Sequence, residues 1–135
     1  MVSYVAAVLI VTMFAVSGAL HLAKVVRCDQ NLLAKLLQRK PCDWLAGTLL
    51  AIAGATELAG AALVMASYTG VMGARRQLTV RKYATLYLMC FTALVTVLFK
   101  VPRLFSDRAL SARLIPLLSN LTTFGALLAI YEDVA

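Results

Sequence analysis

The chain reads as an all-α membrane protein: an antiparallel bundle of four transmembrane helices, with a short amphipathic interfacial helix between the first and second spans. Three observations predict this. The 135 residues are 62% hydrophobic and 14% charged, where a soluble domain is typically about half apolar and roughly a quarter charged. The mean hydropathy is +0.88, an apolar excess too large for the core of so small a globule. The apolar residues are gathered into four runs, over about 2–26, 44–71, 83–101 and 114–131, each near the ~20 helical residues that cross the hydrocarbon. The runs are continuous rather than alternating, which excludes a membrane β-barrel. A single integral-membrane domain is expected to fill the chain.

The first run begins MVSYVAAVLIVT. No basic segment precedes it and no clean small-residue cleavage site follows it, so it reads as a retained span rather than a signal peptide. Next comes CDQNLLAKLLQRKPCD, Cys28 to Asp43. Leu32, Leu33, Leu36 and Leu37 share one helical face. Asp29 suits an N-cap and Pro41 a stop, so a short amphipathic helix is expected over about 30–40, lying in the inner interface or docking on a partner. Cys28 and Cys42 bracket it, and Cys90 falls in the third span. These thiols do not make a four-ligand zinc site, and no metal site is expected. Cys28 and Cys42 are expected to be free thiols on a reducing side; an inverted orientation would permit a bridge. The fourth run contains Pro116 near its start, where a missing N–H is tolerated.

Charge orients the spans. The connections after the first and third runs carry Lys24, Arg27, Lys35, Arg39, Lys40, Lys100, Arg103, Arg108 and Arg113, nine cations. The opposite side carries four, Arg75, Arg76, Arg81 and Lys82. The positive-inside rule then places the nine-cation side in the cytoplasm or matrix, with both termini on the outer, intermembrane-space or periplasmic, side. Lys24, Arg27, Lys35, Arg39, Lys40, Arg75, Arg76, Arg81 and Lys82 are candidate contacts to anionic phospholipids or partner subunits. Cations that flank spans do not make the basic, aromatic-lined platform of a nucleic-acid protein, and no nucleic-acid partner is expected.

The second run holds one ionisable residue near its middle, Glu57. A charge at that depth costs at least ~2.5–3.5 kcal/mol, so the carboxyl is expected to be sheltered and neutral, or used. Gly47, Ala51, Ala53, Gly54, Gly60 and Ala61 surround it with small side chains, a face that lets another helix approach closely. Glu57 is therefore expected to face the bundle, with Thr12, Ser17, Thr92, Thr96, Thr122 or Thr123 as hydroxyl partners. His21 stands about 8 Å from the inner end of the first run and Glu57 about 20 Å from that of the second, at 1.5 Å per residue. That difference argues against a direct His21–Glu57 pair. Glu57 is the candidate proton or quinone-headgroup site. His21 is a candidate hydrogen-bonding residue or ligand to a haem shared with a partner chain; it is the sole histidine, so one chain cannot supply two haem ligands.

Two stretches, SGALHLAK (Ser17 to Lys24) and TELAGAALVMASYTGVMGARRQ (Thr56 to Gln77), resemble the DoxX-like family of small four-span membrane proteins. The order and spacing extend over roughly Phe14 to Ala93. The family often carries Lys three residues after the glycine of the first helix; this chain has His21 there and Lys24 one turn later. The resemblance implies a four-helix bundle near quinone metabolism.

No catalytic constellation, Gly-rich phosphate loop or metal-ligand set is apparent, so no catalytic residue is assigned. The primary expectation is an accessory subunit of a larger energy-transducing complex of respiratory or ATP-synthase type, in the mitochondrial inner membrane or alternatively a bacterial plasma membrane. Its partners would be other membrane subunits and anionic lipids. The alternatives are a stand-alone, DoxX-like quinone-linked protein of electron transfer, or a small transporter or assembly factor that uses Glu57. No cofactor is expected within the chain alone; a quinone or a shared haem is the candidate.

Overall fold

The computed structural model describes residues 2–28, 34, 37–40, 42–105 and 109–134. The described residues form four long α-helices: α1 Val2–Val26, α2 Trp44–Ala66, α3 Ala74–Val95 and α4 Leu110–Glu132. A π turn, Thr96–Lys100, continues α3, and a 3-10 turn, Pro102–Phe105, follows it. All four helices are long and apolar enough to cross a membrane. Many large apolar side chains face outward, among them Leu9, Val16 and Ile52. That is the inverse of a water-soluble globule and the arrangement that lipid solvates.

Local chemistry sets the ends of α2. Asp43 caps its start, its carboxylate accepting from the backbone N–H of Leu45 and Ala46 at 3.1 and 3.4 Å. This meets the needs of otherwise orphaned amides. At the other end the Ser67 hydroxyl donates to the Val64 carbonyl at 2.6 Å, and Gly70, at φ +72°, turns the chain. The helix stops at Ala66, short of the expected 71.

The third helix begins at Ala74, nine residues before the expected 83. RRQLTVRK is therefore helical. Arg, Gln, Leu and Lys are good helix formers, so a run of cations marks membrane depth and not a helix end. The fourth begins at Leu110 and carries Pro116 inside it, in the second turn rather than the first. The expected interfacial helix falls mostly outside the described residues, including Asp29, Leu32, Leu33, Lys35, Leu36 and Pro41. Ala34 is helical and buried, and Gln38 has φ 52°, a left-handed residue that a helix reaching residue 40 would not contain.

Two clusters divide the interior. The larger joins Ala7, Ile10 and Phe14 of α1, Ala61 and Val64 of α2, Ala84, Leu88 and Met89 of α3, and Leu127 and Ile130 of α4. It draws on the N-terminal half of α1, the middle of α3 and the C-terminal halves of α2 and α4. At that end Leu88 fills the space a side chain at Gly60 would need, and Arg81 fastens α3 to the end of α2. Its guanidinium donates to the Ser67 carbonyl at 3.0 Å and the Ser67 hydroxyl at 3.3 Å, and lies 3.6 Å from the Tyr68 ring centroid. The smaller cluster, Ala34 and Ala46 with Leu37, Leu50 and Phe99, lies at the opposite end. Between the two clusters the packing opens, and the site occupies that gap.

Candidate functional site

The site is built on a contact between two glycines. A Cβ placed on Gly18 would stand 2.8 Å from the Gly54 carbonyl oxygen, and one on Gly54 would stand 2.9 Å from that of Gly18. Only hydrogen fits at both positions, so the backbones of α1 and α2 touch. Tyr4, near the start of α1, meets Tyr68, just beyond the end of α2, edge to face at 5.6 Å. The two helices therefore pass each other in opposite senses.

This crossing overturns one expectation. His21 Nδ1 lies 2.8 Å from Glu57 Oε2, a direct pair that depth counting argued against. His21 and Glu57 each follow a contact glycine by three residues, on opposite sides of the crossing. Every Cα–Cβ bond in an α-helix tilts toward the helix N-terminus, so in oppositely directed helices both side chains lean back toward the crossing and meet. Counting depth along each helix axis left out this backward lean of both side chains.

Glu57 is 6% exposed and faces inward, as its small neighbours require. Gly47, Gly54, Gly60 and Ala61 share its buried face, with Ala46 beside them, while Ala51 and Ala53 are half-buried. Ser17 donates to Glu57 Oε1 at 3.1 Å. The other hydroxyl candidates serve elsewhere. Thr12, Thr96, Thr122 and Thr123 bond carbonyls of their own helices, and the buried Thr92 hydroxyl has no partner among the described residues.

Beside the pair lies a cavity of about 790 Å³. His21 and Lys24 of α1 and Glu57 of α2 supply a polar wall. Leu49 and Ile52 of α2, Tyr87, Phe91 and Leu94 of α3, and Phe99 of the π turn supply an apolar one. Cys90 and Lys100 also line it. The π turn, held by the Val101 amide on the Thr96 carbonyl at 3.0 Å, carries Phe99 and Lys100 at the cavity margin, and such turns are common at functional sites. Asn120 of α4 secures it, donating to Thr96 Oγ1 at 2.9 Å.

The chemistry follows from donor and acceptor counts. An ionised carboxylate only accepts, so His21 Nδ1–H donates to it; a protonated Glu57 would donate to a bare Nδ1. Either way the pair shares a proton across one hydrogen bond. Nε2 is the ring nitrogen left for a molecule in the cavity. Among the described residues no group of three or more His, Cys, Asp or Glu is placed to hold a metal ion.

Two further expectations change. Cys28 and Cys42 are joined in a disulfide, with Cα atoms 5.0 Å apart, where free thiols were expected; Cys90 is free. Cys28, at φ 54°, turns the chain off the end of α1, and the Asp43 cap fixes the start of α2 next to Cys42. Tertiary geometry thus decides a proximity that the compartment argument did not address. Arg81 and Lys82, read as headgroup or partner contacts, are engaged within the chain: Arg81 on Ser67 and Tyr68, and Lys82 with its ammonium 5.8 Å from the Tyr131 ring centroid, within cation–π range. Lys24, Arg27, Arg39, Lys40, Arg75 and Arg76 are exposed, and Arg39 stands 3.8 Å from Asp43.

Sequence reasoning missed the aromatic wall of Tyr87, Phe91 and Phe99 and the role of Asn120. Asn120, a polar residue inside an apolar run, was the available signal. No protein-family model matches the chain, and neither a curated protein nor a solved structure matches it significantly.

Proposed function

We propose that this chain is an antiparallel four-helix membrane protein that binds a quinone-type amphiphile beside His21 and Glu57 and handles the protons of its redox chemistry. The observation that carries this reading is the carboxyl–imidazole pair opening on a largely apolar cavity of about 790 Å³. A ligand for such a space needs a hydrogen-bonding headgroup and an apolar body. Reducing a quinone to a quinol adds two electrons and two protons. His21 is placed to donate to a quinone oxygen, and Glu57 to restore the proton to the ring; the electrons belong to a redox partner. The resemblance of SGALHLAK and TELAGAALV to DoxX-like sequences supports the same reading.

The test is binding of a short-tail quinone to the purified chain in nanodiscs, followed by changes in its absorbance. Saturable binding that His21→Leu weakens at least tenfold is expected. Equal binding to wild type and variant overturns the reading.

A second reading, the accessory subunit, is favoured by the small mass outside the helices: only residues 67–73 join α2 to α3. Extraction in gentle detergent reads it directly. An accessory subunit migrates with an assembly many times its own 14.5 kDa. In both readings the nine-cation side faces the cytoplasm or matrix, and exposed Arg75 and Arg76 meet anionic headgroups on the other face.

A further inference from the structure

The cavity beside His21 and Glu57 has an exposed apolar rim. Its lining comes from α1, α2, α3 and the π turn; among the described residues α4 contributes none. α2 and α3 meet tightly where Leu88 fills the space at Gly60. Elsewhere along the same two helices the wall residues are open to the outside. Glu57, at the back, is 6% exposed, whereas Ile52 of α2 and Leu94 of α3 are each 57% exposed. Leu49, Tyr87 and Leu98, also in the lining, are exposed as well. Depth says what this rim faces. Ile52 lies about 12 Å along α2 from Trp44, and Tyr87 about 20 Å along α3 from Ala74, at 1.5 Å per residue. The hydrocarbon is about 30 Å thick, so the rim stands among acyl chains rather than in water.

We propose that the cavity is loaded sideways from the bilayer, through a slot between α2 and α3, by a long-chain amphiphile that enters headgroup first and leaves its chain in lipid. The polar and apolar groups are arranged for that entry. A head that sheds its hydrogen-bond partners on leaving the interface needs new ones, and His21 and Glu57 at the back of the cavity supply a donor and an acceptor. The rim of Leu49, Ile52, Leu94 and Leu98 makes no such demand and suits a hydrocarbon chain. A space of about 790 Å³ encloses a headgroup and the start of its chain, and a side opening places no limit on the chain that remains outside. The site therefore selects the head and tolerates chains of different length. Lys24 and Lys100 also line the cavity and mark the competing mouth, through which a ligand would come from the aqueous side. The inference rests on the cavity being the ligand site proposed above, and adds the route, the orientation and the tolerance of chain length.

Trp44 is the sole tryptophan, which permits a readout independent of quinone. In a Trp44→Phe background, Phe91→Trp places a fluorescent probe in the half-buried wall and Tyr87→Trp places one on the rim. The full chain is measured in nanodiscs of ordinary lipid, with and without the water-soluble quencher acrylamide, and in nanodiscs of lipid brominated on its acyl chains. Brominated chains are expected to lower the emission of both probes at least twofold, and acrylamide to leave it nearly unchanged. Quenching of Phe91→Trp by acrylamide as strongly as by brominated chains overturns the slot, because the cavity then opens to water. Quenching of Tyr87→Trp alone also overturns it, because the cavity is then sealed behind its rim. The route is read from the uptake of a long-tail quinone, followed by absorbance. Ile52→Trp, which narrows the slot, is expected to slow uptake at least fivefold. Leu9→Trp, on an exposed position of α1 outside the cavity wall, is expected to leave it unchanged. Equal rates for Ile52→Trp and wild type overturn the route. The two proposals fail separately: if no quinone binds while brominated chains quench Phe91→Trp, the ligand assignment fails and the slot stands. If quinone binds and acrylamide quenches, the slot fails and the assignment stands.

Discussion

At the scale of the residue, Glu57 has its two oxygens accounted for, one by Ser17 and one by His21. A substitution can therefore separate holding from titrating. Gln keeps an oxygen for Ser17 and offers an N–H to the imidazole but cannot ionise. Glu57→Gln is expected to change thermal stability in detergent by less than about 1 kcal/mol, the scale of one hydrogen bond. It is expected to lower proton-coupled quinone turnover by about 10²-fold or more, the usual contribution of a positioned acid–base group. Turnover equal to wild type would show that the carboxyl is only a packing element. His21→Leu does the opposite to stability. It leaves Glu57 with one partner in a buried place and is expected to cost about 1–3 kcal/mol, read from the melting midpoint, with His21→Gln recovering part of the loss.

At the scale of the element, the α1–α2 crossing depends on two hydrogens. Gly54→Leu drives carbon into the Gly18 carbonyl and the His21 Cβ, which lie 2.9 and 3.2 Å from the position of a new Cβ. Overpacking of this kind costs about 1–3 kcal/mol, and here it also separates His21 from Glu57. Gly54→Leu is therefore expected to lower the melting midpoint and weaken quinone binding together. Gly125→Ala is the control. Nothing lies within 4 Å of a Cβ at Gly125, and alanine is the better helix former by up to about 1 kcal/mol, so the midpoint is expected to stay or rise. A fall of equal size in both variants would show that the glycine contact is not what joins the helices. The π turn works at the same scale. It brings Phe99 against Ala34 and Ala46, and the same Phe99 lines the cavity.

At the scale of the whole molecule, tight packing at one end and a cavity toward the other give the protein a direction. Arg81, Tyr68 and the large cluster close the end where α2 meets α3. The end bearing the first and third connections holds the cavity and most of the cations. A tag placed after Val134 is expected to be accessible to an impermeant reagent from the outer face of intact cells or organelles, as the nine-to-four cation count requires. Labelling only after permeabilisation would invert the orientation and place the Cys28–Cys42 bridge in an oxidising space, where it would be structural.

What the sequence determined by itself was the class, the four helices and the inward face of Glu57. These are properties of runs and periods: apolar length answers to bilayer thickness, and small residues three and four apart answer to helix pitch. Tertiary structure alone decided the joining of His21 to Ser17 as a partner of Glu57, the Cys28–Cys42 bridge, the inward-turned Arg81 and Lys82, and the aromatic cavity wall. Each depends on how far one helix slides along another. Here that slide is set by a glycine–glycine contact between residues 36 positions apart, and no local pattern encodes it. His21 shows the difference most plainly. Its position along α1 could be counted, but its direction toward Glu57 appears only once two oppositely running helices are in contact.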